Sequence, residues 1–336
     1  MKRSEPAYGR LPWPRTRARD GNRVLGGTEP AYGRLPWPVT QARDGCRFLG
    51  GETLAALAAI LMVAGTIGAR PADAQARGRG RGGPDGDRLE LRELAHRVVV
   101  KEGIDVLPKE IKKFYKNHRE EMPSQALEPV FPERGPDRRF LVDQLLPFPF
   151  KGLPRSEAAL EAKFGEEAAK VGRLPWLVHE SYDRLLEAYR AGDKAGILGE
   201  SDVLAGLMVD LNGPLNLTRN FDGQDTGQHG LWLRLTERLP QAMGKDLKLD
   251  SDAANFLDKP REYVFSVMLE SYVWVDNVLY LDALARRGKQ GYSEFFFDDF
   301  ARRAGPILRE RLSHAAEDTG SYWYTAWTAA GRPELE

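Results

Sequence analysis

Cysteine is almost missing from this 336-residue chain. The one thiol, Cys46, lies upstream of any segment able to build a core, so the body has no internal disulfide and no cysteine-ligated metal site. Histidine is scarce as well, at five residues, and no His-x3-His pair occurs. That argues against a zinc site of the kind two histidines on one helical turn would make. There is no Gly-x-Ser-x-Gly elbow and no phosphate loop ending in Gly-Lys-Ser/Thr, which removes the usual serine hydrolases and nucleotide-phosphate binders. An excess of either charge is also lacking: 49 Lys and Arg balance 49 Asp and Glu. Past Ala74 the balance is 38 basic to 43 acidic residues. A duplex-binding domain needs clustered cations to replace phosphate counterions, so duplex nucleic acid is not an expected partner. Strand-like alternation is nearly absent throughout.

What is present divides the chain unevenly. Residues 4–27, SEPAYGRLPWPRTRARDGNRVLGG, recur as 28–51, TEPAYGRLPWPVTQARDGCRFLGG. This tandem repeat has no apolar periodicity and cannot bury a core. The span 1–51, with ten basic and four acidic residues, is expected to be a disordered leader or upstream sequence included in the reading frame. Residues 52–76 hold the 17-residue apolar run TLAALAAILMVAGTIGA at 53–69, with Arg43 and Arg47 before it and small-x-small sites ending at Ala74 and Ala76 after it. Basic flank, apolar centre and small-residue site read as an export signal. Exported, the body is periplasmic, cell-surface or secreted. Retention as an anchor is the other reading, at the short edge of spanning length, and only then is membrane contact expected. Residues 77–87 are a Gly- and Arg-rich linker.

The body, 88–336, reads as an all-α multi-helix bundle. Helices are expected over 88–101, 108–121, 155–171, 177–191, 200–211, 260–287, 291–316 and 320–330. The 200–211 helix ends before Gly213-Pro214, since proline cannot continue the backbone ladder. The 260–287 helix is the most apolar. Its Asp276 and Asp282 fall on nearly opposite faces, so a solvated edge accounts for at least one of them.

Two segments carry a resemblance. Residues 205–216 read AGLMVDLNGPLN, and 217–237 read LTRNFDGQDTGQHGLWLRLTE. They resemble the zinc-dependent phospholipase C superfamily, which also contains zinc-dependent single-strand nucleases. The family's first segment has the pattern His-x3-Asp-x5-His, and its second an Asn-Tyr-Asp-Gly-Gln turn followed by Gly-Ile-His-x3-Glu or Asp. Residues 93–108, ELAHRVVVKEGIDVLP, are similar to its first helix, and 311–336 to the end of bacterial members. The resemblance implies an all-helical fold and clustered zinc ions that activate water for attack on a phosphodiester.

On that resemblance the ligand positions of this chain are His96, Gly206, Asp210, Asn216, Trp232 and Thr236, with Arg139 at a further histidine position, Asp143 near it, and Glu128 left from an Asp-Pro-Asp motif. Glycine has no side chain, an amide is a poor zinc donor, and an indole cannot ligate. His96 and Asp210 are remnant positions, and Glu128 and His229 are speculative additions. His229 and Glu237, eight residues apart, could share a helix face. Asp210 is expected to cap the turn amides at Asn212-Gly213, and Asp222 to fix its own loop through Asx-type bonds, with Gly223 at positive φ. The expectation is a degenerate zinc site, with zinc lost, on a non-catalytic exported domain. Such a domain would bind a phosphate ester, a lipid head group or a protein partner. The alternative is an active phosphodiester hydrolase with an altered metal set: His96, Asp210, Glu128 and His229.

Overall fold

The computed structural model describes residues 84–122, 137–244 and 247–336. Residues 1–83 and Glu128 lie outside them, and with them the leader, the 53–69 run and its cleavage sites. No β-strand occurs among the described residues, and the body is all-α. The described residues form one compact unit. The helices are α1 (Pro84–Asp105), α2 (Lys109–His118), α3 (Glu157–Phe164), α4 (Leu174–Ala191) and α5 (Lys194–Asn212). A bent helical segment, α6, spans 231–243 with a π-turn at Arg234–Arg238. Then come α7 (Pro260–Tyr272), α8 (Val275–Arg286) and α9 (Glu294–Ala329).

Helices α4 and α5 make an antiparallel hairpin whose junction is chemically explicit. Gly192 takes φ 63° and returns its N–H to the α4 carbonyls of Ala188 and Tyr189. Asp193 then caps α5 by accepting the Gly196 N–H at 3.1 Å. This is a glycine stop followed by a carboxylate start. Leu185 and Tyr189 of α4 and Leu204, Met208 and Leu211 of α5 are fully buried. The 36-residue α9 packs against α1, α4, α5, α6 and α8 and is the hub of the fold.

Several boundaries depart from the sequence reading, each for an identifiable reason. Helix α1 begins at Pro84, inside the stretch expected to be linker, with proline in its first turn. The 155–171 helix is split, because Gly165 at φ 57° ends α3 and a 3₁₀ segment follows. The expected 260–287 helix breaks at Val273 and Trp274 into α7 and α8. There Ser271 Oγ donates back to the Val267 carbonyl at 2.8 Å, a bond that bends helices, while Arg311 donates to Ser271 Oγ at 2.8 Å. Conversely, the two expected C-terminal helices are one. Gly320 is a packing residue there and not a terminator, because a Cβ on it would meet Val106 Cγ2 at 2.7 Å and the Gly103 carbonyl at 3.1 Å.

An extended strap lies along α9. The amides of Asp250, Asp252, Asn255 and Leu257 donate to Ser313 Oγ, Glu317 Oε1, Ser321 Oγ and Thr325 Oγ1, at 3.0, 2.7, 3.0 and 2.9 Å. The four acceptors repeat every fourth residue, so they stand in one row on the helix. Four residues of helix advance ~6 Å and two of extended chain ~6.6 Å, which matches the first and last intervals; between Asp252 and Asn255 the strap uses three residues, and there the Ala254 N–H turns to the Val106 carbonyl at 2.9 Å. Gly320 sits inside this row, where α1 and the strap approach most closely. Gly320→Ala is expected to cost about 1–3 kcal/mol of overpacking, lowering the urea midpoint at unchanged slope; a raised midpoint would contradict the close approach.

Candidate functional site

The region that carries the resemblance is built on the turn at 220–230. Asp222 accepts the N–H of Gly230 at 2.9 Å and of Trp232 at 3.2 Å, so its carboxylate fixes the start of α6. Asn220 Oδ1 accepts the Asp225 N–H at 2.8 Å, and Gln224 Oε1 the Asp222 N–H at 3.0 Å. Gly223 takes φ 72°, with the Gln228 backbone so near that a Cβ would stand 2.6 Å from its carbonyl oxygen. The loop-fixing roles expected of Asp222 and Gly223 are therefore present.

Behind the turn is a buried ion pair that sequence reasoning missed. Arg234 Nε donates to Asp282 Oδ1 at 2.8 Å and Nη2 to Oδ2 at 3.2 Å. The same guanidinium donates to the carbonyls of His229 and Gln228 at 2.8 and 2.9 Å, and lies 3.7 Å over the Tyr292 ring. Gln228 Nε2 donates to Asp282 Oδ2 at 2.8 Å. Asp282 is fully buried and Asp276 is exposed, which matches their placement on different faces. The signal in the sequence was Asp282 itself, a carboxylate within an apolar helix; its partner 48 residues upstream carried none.

At the positions that the resemblance would make metal ligands, the side chains bond to neighbouring side chains and carbonyls. Asp210 is 6% exposed and accepts Arg138 Nε at 2.5 Å. Its carboxylate is thus held in an ion pair and not over the turn; the Gly213 N–H goes instead to the Asp210 main-chain carbonyl at 3.0 Å. Asn216 donates to that same carbonyl at 2.8 Å and accepts the Trp232 indole N–H at 3.0 Å. Arg139 lies 3.9 Å over the Phe221 ring and 5.6 Å from the Trp232 ring. Thr236 Oγ donates to the Trp232 carbonyl at 2.8 Å. Asp143 accepts Thr218 Oγ at 2.6 Å and the Arg219 N–H at 2.7 Å, with Tyr272 Oη donating at 3.3 Å. Burial first, and the Asp143 carboxylate second, push the Tyr272 phenol well above its ordinary range.

The remaining candidates do not converge. His96 is buried on α1, with Nε2 3.2 Å from the Asp202 carbonyl and 3.3 Å from its carboxylate. Asp202 lies two turns before Asp210 on α5, ~12 Å along the helix at 1.5 Å per residue. His229 is exposed and precedes Gly230, which takes φ 82°, whereas Glu237 is buried within α6. The two therefore do not share a helix face. Among the described residues, no three His, Cys, Asp or Glu side chains group so as to hold a metal ion. Two arginines, an indole and an amide are the wrong chemistry for a zinc shell, because cations repel the ion and neither indole nor amide supplies a competent donor. The described residues at these positions do not fit zinc. No family model matches the chain, and no curated protein matches it.

Asp282→Ala would leave the Arg234 guanidinium buried without its counter-ion. A loss of about 3–5 kcal/mol is expected, as for other buried pairs broken on one side, read as a lower urea midpoint. A change below ~1 kcal/mol would mean the main-chain carbonyls alone hold the charge.

Proposed function

We propose that this chain is an exported, non-catalytic descendant of the zinc-dependent phospholipase C and nuclease scaffold, retained for binding an anionic phosphate ester. One observation carries the reading: the Asp210 carboxylate, the single acid kept from the ancestral zinc pattern on α5, is neutralised by Arg138 at 2.5 Å. A guanidinium occupies the role that a divalent cation would have had. Arg139 beside it, stacked on Phe221, adds a second cation of planar, bidentate donor geometry. Such a pair suits a phosphate group better than a metal. The sharing of Asn216 between Asp210 and Trp232 keeps the neighbouring wall closed. With the donor set of a hydrolase replaced, no water-activating step is assigned to these residues.

The test is a zinc count, an assay and a binding measurement on the full-length protein. After dialysis against zinc, elemental analysis is expected to find no stoichiometric metal, and a bis-aryl phosphodiester to go unhydrolysed. Glycerol phosphate is expected to raise the thermal midpoint, and Arg139→Ala to abolish that rise. Stoichiometric zinc with turnover lost in His96→Ala would establish the hydrolase reading instead. A midpoint unmoved by glycerol phosphate would remove the phosphate-ester role.

A further inference from the structure

Beside Asp143 and Tyr272, the loop after Val142–Gln144 ends in an exposed apolar knuckle. Pro147, Phe148 and Pro149 are all exposed, and Phe148 keeps half its surface open. Exposure of one large apolar residue is ordinary; the bracing of this one is not. Its ring stacks on Tyr272, with centroids 5.7 Å apart and planes 11° from parallel. Phe150 wedges edge-on against both rings, at 5.7 and 4.8 Å. Phe150 itself is buried and held at φ 58°, a left-handed conformation that an aromatic residue adopts only when its surroundings impose it. Tyr272 is pinned from behind by its bond to Asp143. Val273, next in the chain at the α7–α8 corner, is also half exposed. The fold thus spends backbone strain and three aromatic rings to hold an apolar tip out in water.

We infer that this knuckle inserts into the surface of a lipid bilayer. Area selects that occupant. A half-exposed phenylalanine, the two prolines and Val273 together offer ~200–300 Å² of apolar surface, since a whole aromatic side chain covers 150–250 Å². A stable protein interface needs about 800 Å² on each side. A patch of this size can be buried completely in the headgroup and upper acyl region, where apolar surface leaves water without a matched protein partner. The surrounding charges nearly cancel: Lys151 and Arg219 on one hand, Asp225 and Asp276 on the other, with Arg219 paired to Asp225 at 3.1 Å. The attraction is therefore apolar, not ionic. The 53–69 run places a bilayer within reach when it is retained: residues 70–83 separate it from α1, and fourteen extended residues span at most ~50 Å.

The experiment uses the full-length chain with Cys46→Ser, so that one introduced thiol can carry an environment-sensitive nitrobenzoxadiazole label. With Val273→Cys labelled, neutral phosphatidylcholine vesicles are expected to shift the emission to the blue, and raising the salt is expected to leave that shift in place. Adding Phe148→Asp should abolish it while the helical circular-dichroism signal persists. A label at Phe256→Cys, an exposed site elsewhere, should keep its aqueous emission. Aqueous emission at residue 273 in the Phe148 protein overturns the proposal by itself, whether or not the aspartate variant folds. An equal shift at residue 256 overturns it too, as general adsorption, and a shift lost in salt overturns the apolar mechanism. Phosphatidylcholine is itself a phosphate ester, so the label at residue 273 is also read with Arg139→Ala: a persisting shift belongs to the knuckle, and a shift lost there overturns the proposal and gives the binding to the phosphate-ester site.

Discussion

A buried polar line along α9 is the constraint to which the rest of the body answers. Ser313, Glu317, Asp318, Ser321 and Thr325 are all buried on a helix that the core surrounds. Polar atoms removed from water must find partners, at a cost of about 1–3 kcal/mol for each that does not. The strap supplies amides to four of these residues. Asp318 is met by Tyr263 at 2.6 Å and by Asn212 at 3.1 Å. Asn212 is in turn held by Arg311, which also reaches Ser271. One chain of satisfied bonds thus ties α9 to the end of α5, to α7 and to the 250–257 strap. It also fixes where α5 stops, and so where the Gly213-Pro214 turn delivers Asn216 and the loop beyond.

Architecture class and most helices could be read from the pattern, because α2 and α4 carry apolar stripes and the stops of α4 and α5 are written in glycine and proline. The α4–α5 junction needs only Gly192 and Asp193 to be understood. What could not be read were places where a distant residue overrules a local signal. A break was expected between 316 and 320, where Gly320 in fact packs against Val106 inside one continuous helix. Residues 271–274 look helical until Arg311 and the Ser271 back-bond bend them. At the candidate site the replacements at Gly206, Asn216 and Trp232 were plain, but Arg138 carried no mark. Its pairing with Asp210 spans 72 residues of chain, and Asp210 alone suggested a local cap. The Arg234–Asp282 pair was half visible for the same reason.

Two acids, Asp282 and Asp210, are each held by an arginine yet differ in how far that arginine is exposed. Asp282 has no exposure, with two guanidinium nitrogens and the Gln228 amide on its oxygens. It is a structural counter-ion, and removal of either partner strands a charge in a low-dielectric interior. Asp210 also has an arginine partner, but that arginine keeps some exposure. A partly solvated guanidinium can be shared with an incoming anion at far lower cost than a buried one. On the proposed function, that difference is why an anionic ligand is assigned to Arg138 and Arg139 and not to Arg234.

The same distinction accounts for which parts of the resemblance survive. Asn220, Asp222 and Gln224 spend their polar atoms on the turn's own backbone, and Gly223 has no room for a side chain. Changing any of them unmakes the entry to α6 whether or not a ligand is bound. A metal-binding histidine is under no such obligation. In a folded domain it can become Gly206, Asn216 or Trp232 once its ion is no longer required, provided the vacated polar atoms find one another. Under the proposed function, the Trp232 indole on Asn216, and Asn216 on the Asp210 carbonyl, would be that repair. On the proposed descent, a scaffold's loops outlast its chemistry because they are held by hydrogen bonds internal to the chain, while the ligands were held in place only by what they bound.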